Sequence, residues 1–329
     1  SVKTTINDDL DLGYLIHNNQ STAAAGVQHN EAKISLDPEA LSYGVRFDYH
    51  QDLSKILKGL YLKVDLPVVY TENDPGLKVE ATGDFAANIA AAAAAPVKTT
   101  IENIFKGDFE ITAAAANANS QSKLTHAKIA GKQSDTGVAD LDIALGYKFL
   151  NKEKYHAALA IAVTIPTGTE AKGVYMFEPI IGNGKHFGLG GDFCAGARVW
   201  GDMDQNIKLM LKAKYRYLFE NSEKRTFGFK NEDWGQYALL HHFVGGQFVQ
   251  NAKLIHAADI TTLNTDVTPG SQFDGILGLA YNNGGFSFDL GYNMYFREAE
   301  SAKIKDTIPA ATYALVARNK NLNGATANV

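Results

Sequence analysis

The residues of this chain that have chemistry to offer are charges set two apart: Arg46 and Asp48, Lys63 and Asp65, Asp140 and Asp142, then Lys212, Lys214 and Arg216. In a β-strand, positions i and i+2 point to one face, so each set lines a single surface. Read by that parity, Arg198, Lys208, Lys212, Lys214 and Arg216 gather on adjacent strands as a basic wall. Asp48, Asp65, Asp140, Asp142, Asp192 and Asp289 come from strands on either side, and Arg46, Lys63 and Arg297 complete the expected lining. Opposed charges across a water-filled space create a transverse field and select ions by sign. The chemistry expected of them is that of a conduit wall. The plainer alternative is that these charges neutralise one another inside a filled small barrel.

Catalytic arrangements are scarce beside that pattern. Neighbouring residues on a strand point to opposite sides, so His241 and His242 cannot easily chelate one metal. Neither G-x-S-x-G nor H-E-x-x-H occurs, and Asp140 and Asp142 have no histidine partner that spacing can place. Gly182-Asn183-Gly184 and the glycines of 188–191 read as a bend and close strand packing rather than a phosphate cradle, since no helix follows. Cys194 is the single cysteine, which excludes intramolecular disulfides and cysteine-based zinc sites. No catalytic residue, metal site or cofactor is expected. A barrel enzyme remains an alternative, because barrels assemble sites from distant strands.

The elements that position the charges are strands with strict alternation. The clearest is the hairpin 271–298, where Phe286, Phe288, Leu290, Tyr292, Met294 and Phe296 share one face and Ser287, Asp289, Gly291, Asn293, Tyr295 and Arg297 the other. Its turn, Asn282-Asn283-Gly284-Gly285, supplies the residues that tolerate positive φ. The same design recurs around 141–165 and 187–219, and near the N-terminus in 41–49 and 60–68. Twelve strands are expected: one within 9–36, then 41–51, 59–71, 137–150, 154–166, 185–201, 206–220, 234–246, 248–260, 271–282, 285–298 and 308–318. Strand length separates two architectures. Soluble strands run to about 5 or 6 residues, whereas a tilted membrane-spanning strand needs roughly 9 to 11.

Short turns alternate with long polar connections at 166–185, 220–234 and 297–308, the asymmetry expected between the two ends of an outer-membrane barrel. Aromatic residues fall near strand ends, with Phe149 and Tyr155 flanking one turn and Tyr281 and Phe286 another, as girdles at two interfaces would. Segment 72–136 breaks the pattern. It is alanine-rich at 86–95 and 113–116, carries an amphipathic piece at 99–105, and reads as one long extracellular insertion that constricts or caps the mouth.

Composition is compatible with this. Charged residues are 20% and hydrophobic residues 45%, with a mean hydropathy of −0.17. A barrel alternates apolar and polar side chains and averages to such values, whereas membrane helices need long apolar runs. The formal charge of −5 has no basic block behind it, which sets nucleic acid aside. No charged, apolar leader stands at Ser1, so an exported protein would be the mature form.

The segments TIPTG (164–168), FEPIIGNGKHFGLGG (177–191) and SQFDGILGLAYNNGGFSFDLGYNMYF (271–296) resemble bacterial outer-membrane porin-type β-barrels. The likeness covers about 137–300 and is one of general style. It departs at the end, where Val329 follows a polar tail instead of the terminal aromatic that such barrels often carry. The resemblance implies an all-β, antiparallel up-and-down transmembrane barrel occupying 1–329 as one domain. It also implies residence in the outer membrane of a Gram-negative-type bacterium, contact with its lipid and lipopolysaccharide, and homo-oligomers, trimers by analogy with porins at large. The expected function is a channel passing small polar or ionic solutes. The alternatives are a barrel plugged by 72–136 with a structural or adhesive role, an outer-membrane barrel enzyme, and a soluble β-sandwich binding module.

Overall fold

The computed structural model describes residues 32–81, 97–112, 120–230, 234–244, 247–248, 253–308 and 310–315. In chain order the strands are β1 (Ala32–Ser35), β2 (Glu39–Asp52), β3 (Leu60–Asp74), β4 (Lys78–Ala81), β5 (Gln133–Val138), β6 (Leu141–Asn151), β7 (Tyr155–Ile165), β8 (Gly188–Gly201) and β9 (Gln205–Leu218). They continue as β10 (Asn221–Thr226), β11 (Leu239–Val244), β12 (Gln247–Phe248), β13 (Ile255–His256), β14 (Thr262–Thr268), β15 (Gly270–Asn283), β16 (Phe286–Arg297), β17 (Ser301–Ile304) and β18 (Tyr313–Leu315). The fold is all-β, with an antiparallel, strongly curled half-barrel sheet and two short helices, Val97–Lys106 and Ala257–Thr261.

That sheet is ordered β16-β15-β9-β8-β7-β6-β3-β2, with β5 beside β3. Its eight long members hold 11 to 15 residues each, well beyond the length usual in soluble sheets. These are the eight strands expected at 41–51, 59–71, 137–150, 154–166, 185–201, 206–220, 271–282 and 285–298. Every short turn, at 53–59, 152–154, 202–204 and 284–285, lies at one end of the sheet. The connections 75–132, 166–187 and 219–269 lie at the other.

The other expected strands need correction. The stretch 234–260 is not a long hairpin. It holds a one-turn helix Gly235–Tyr237, the short strands β11, β12 and β13, and the helix Ala257–Thr261. The apolar runs there are too brief and too irregular to continue a ladder, so among the described residues the expected pairing holds only at its tip, where Phe243 faces Phe248 and Val244 faces Gln247, and β11 otherwise pairs with β13 and β18. The stretch 308–318 contributes only β18 among its described residues. The strand expected within 9–36 lies outside the described residues save for β1, which pairs with β4 away from the large sheet.

The insertion boundaries shift too, because β3 runs to Asp74 and 133–138 returns as β5 along β3. What lies between includes the helix Val97–Lys106, whose Ile101, Ile104 and Phe105 recur at helical spacing on one buried face. With Val79, Ile111, Leu124, Ile129 and Tyr237 they form a compact apolar core at the long-loop end. Phe105 and Tyr237 meet edge to face at 4.9 Å.

β5 and β6 are one path interrupted opposite Pro67. Asp65 pairs with Asp142 and Val68 with Val138, so Leu66 and Pro67 face the three residues 139–141. Proline has no N–H to give the ladder, and a bulge absorbs the vacancy. The Ala139 N–H still reaches the Pro67 carbonyl at 2.9 Å.

Candidate functional site

The two faces of the curled sheet differ in kind. One carries exposed large apolar side chains from strand to strand: Tyr43, Val45 and Phe47 on β2, Leu159 and Ile161 on β7, Leu277 on β15. On β16, Phe288, Leu290 and Tyr292 are 53%, 62% and 66% exposed. Apolar patches on water-soluble monomers seldom exceed a few hundred Å². This belt has exposed members on seven of the eight long strands and continues over β3 through the half-buried Leu62, Val64, Leu66 and Val68.

On the opposite, concave face small residues form a floor. Ala144, Ala160 and Ala162 are buried beneath Tyr61. The Tyr61 ring lies over Gly146, where an added Cβ would fall 2.2 Å from it, and the His156 ring lies likewise over Gly196 at 2.3 Å. At these two positions, glycine is what lets an inward ring lie flat on the wall.

Charges stand on this floor as a connected cluster. Arg216, 8% exposed, donates to Asp192 at 2.7 Å, and its other terminal nitrogen is 3.6 Å from Asp142. Lys214 reaches Asp142 at 3.2 Å, and the Thr164 hydroxyl donates to the same carboxylate. Parity brings these residues from β6, β7, β8 and β9 to one place although up to 74 positions separate them, Arg216 against Asp142. Asp48, Asp65 and Asp142 lie side by side in register on β2, β3 and β6. Like charges so opposed destabilise a sheet unless cations interleave. Here Arg46 holds Asp48 at 2.7 Å and Lys63 holds Asp65, whose other oxygen is buried without a hydrogen bond.

The remaining expected lining residues are spread out. Arg198 pairs with Glu153 at 2.8 Å near the short turns. Lys208 and Lys212 are exposed on the inner face of β9, and neither has an ion-pair partner among the described residues. Asp289 stands opposite Ala280 on the edge strand β16, and Arg297 approaches Glu300 at 3.8 Å. Asp140 is separated from Asp142 by the bulge opposite Pro67. Its carboxylate accepts from the backbone N–H of Asn183 at 2.6 Å and Gly168 at 3.3 Å, so it anchors the 166–187 connection. Gly182, at φ +80, packs against it, with no space for a Cβ. The bend expected at 182–184 is thus a carboxylate cradle belonging to the chain itself.

Sequence reasoning passed over Tyr61 and Asp274 as members of this face. Parity with Lys63 and Lys214 would have found both of them. Nothing in the local pattern marked Glu178, which accepts from the N–H groups of Lys172, Gly173, Val174 and Tyr175 at 2.8 to 3.4 Å and so folds that loop on itself. Among the described residues, no group of three or more His, Cys, Asp or Glu is placed to hold a metal ion.

The fold and this face together define an all-β protein with a curled antiparallel sheet, apolar on its convex side and charged on its concave side. No family model matches the chain, and no curated protein matches it.

Proposed function

We propose that this chain is an outer-membrane porin of a Gram-negative-type bacterium, a non-enzymatic channel through which small polar or ionic solutes diffuse passively along a charged lumen. In this reading the half-barrel sheet belongs to a closed transmembrane up-and-down barrel of about twelve strands, roughly ten to fourteen. Among the described residues β2 and β16 end the sheet without pairing with each other, and on this reading strands beyond the eight long ones close it. Lipid, lipopolysaccharide and small solutes are its partners, and homo-oligomers are in keeping with such barrels.

One observation carries the reading: a sheet of strands long enough to span a bilayer, whose convex side chains are apolar and uncovered while the concave ones are charged. A globular sandwich buries its apolar face against a second sheet. Lipid is the solvent that accepts this one. Detergent-extracted protein added to planar bilayers is expected to give stepwise ionic current, and gel migration is expected to change on heating. Folded protein that gives no current sinks the channel.

A second reading has its own support. The insertion folds into a buried core with Tyr237 and the helix Val97–Lys106, as a plug or cap does. If it seals the lumen in a structural or adhesive protein, deleting 82–132 produces a current that the full chain lacks.

A further inference from the structure

The inner face is charged unevenly along the conduit. Toward the long-loop end, cations and carboxylates alternate. Lys214 has Asp192 on one neighbouring strand and Asp274 on the other, and Arg216 bridges Asp192 and Asp142. Toward the short turns the pattern stops. Lys212 stands between Cys194 and Ile276, and Lys208 between Arg198 and Ala280, so neither lysine has a carboxylate beside it across the ladder. Lys148 joins them on this side, its ammonium 5.5 Å above the Tyr61 ring.

Asp289 is the inward carboxylate nearest in register, one strand beyond Ala280. The spacing of adjacent strands, about 4.8 Å, puts it roughly two strand widths from Lys208. Glu153 is taken up by Arg198. The turns below, 53–59, 152–154 and 202–204, hold four lysines against three carboxylates, and Asp52, at the end of β2 on the inner face, feels the charge of Lys148. Lys208 and Lys212 therefore add to an end of the wall that is already net positive. Placing Arg198 directly opposite Lys208 costs stability in an empty conduit. A passing anion relieves that repulsion.

We propose that Lys208 and Lys212 form a cationic filter at the short-turn end of the lumen, and that the solutes favoured there are small anions. The proposal rests on the porin reading and adds the sign of the solute to it. Such a filter acts through space, so it is strongest in dilute salt and fades as the screening length falls from about 30 Å at 0.01 M to about 3 Å at 1 M.

The test is the reversal potential of the full chain in planar bilayers under a potassium chloride gradient, where the two ions have nearly equal mobility in water. Chloride is expected to permeate several-fold better than potassium in dilute salt, with the ratio approaching one in molar salt. The variant K208Q/K212Q is expected to bring the ratio near one in dilute salt, and K208E/K212E to invert it. The glutamine pair keeps the experiment decisive if the glutamate pair does not insert. Channels that conduct without chloride preference, or whose preference ignores both variants, overturn the filter and leave the porin standing. Folded protein with no current overturns both.

Discussion

Arg216 is the residue on which the inner face depends most. Its guanidinium is buried between two carboxylates, and burying such charges is tolerable only while each keeps its partner. Arg216→Met is therefore expected to lower unfolding stability in detergent by about 3 kcal/mol, the cost of stranding a buried charge. The double variant R216M/D192L is expected to recover most of that loss, as read from the urea midpoint. Glu178 acts on the loop rather than the wall. Its carboxylate gathers four consecutive backbone N–H groups, an arrangement that charge strengthens and water on its exposed side weakens. Glu178→Gln is expected to leave the strands unchanged and to speed amide exchange at 172–175 by about tenfold, which corresponds to about 1.4 kcal/mol. Unchanged exchange there would mean that the loop is held elsewhere.

Among the elements, β16 and the long-loop core make opposite demands. On β16 the apolar side chains point away from the sheet, and lipid is the partner proposed for them. Leu290→Arg is then expected to destabilise the protein by roughly 2 to 4 kcal/mol in bilayers, against little change for Asn293→Arg on the inner face. Equal effects would contradict the assignment of faces. The long-loop core holds a buried histidine instead. His256 is placed with Nδ1 3.2 Å from the Tyr237 carbonyl and Nε2 3.3 Å from the Gln121 amide nitrogen, one acceptor and one donor, which suits a neutral ring. Burial holds its pKa below the ordinary 6.5, although the Tyr237 carbonyl and Asp259 pull the other way. The unfolded chain thus binds the proton first, so this contribution is complete above about pH 6.5 and is lost as the pH falls through the lowered folded value. Fluorescence of Trp234 in a Trp200→Phe background is expected to report loosening on acidification, and His256→Gln to flatten that response.

The eight long strands were legible in the sequence because alternation and length together leave few other structures, and their turns carry Asn, Gly and charged residues at the expected places. Parity alone put Asp142, Asp192, Lys214 and Arg216 on one face, but that they pair with one another on neighbouring strands did not follow from it. Parity fails where the ladder slips. Asp140 and Asp142 are two apart, but the bulge opposite Pro67 comes between them and gives the first to a loop. The core at the long-loop end was invisible for another reason. It joins Val79, Phe105, Leu124 and Tyr237 through contacts that no local period records.

At the scale of the whole molecule, two strands lack a neighbour on one side among the described residues. β2 and β16 each pair only inward there, leaving two rows of backbone amides and carbonyls without a partner strand among those residues. In hydrocarbon an unpaired group of this kind costs several kcal/mol, and in water such a row invites another chain to pair with it. On the porin reading, the sheet is stable neither dissolved nor half inserted. Sealing of the seam and arrival in the bilayer must then be one event, and until it happens an exported polypeptide has to be escorted across the aqueous compartment with its staves unassembled. Refolding from urea is expected to succeed when micelles or vesicles are present from the start and to end in precipitate when they are added late.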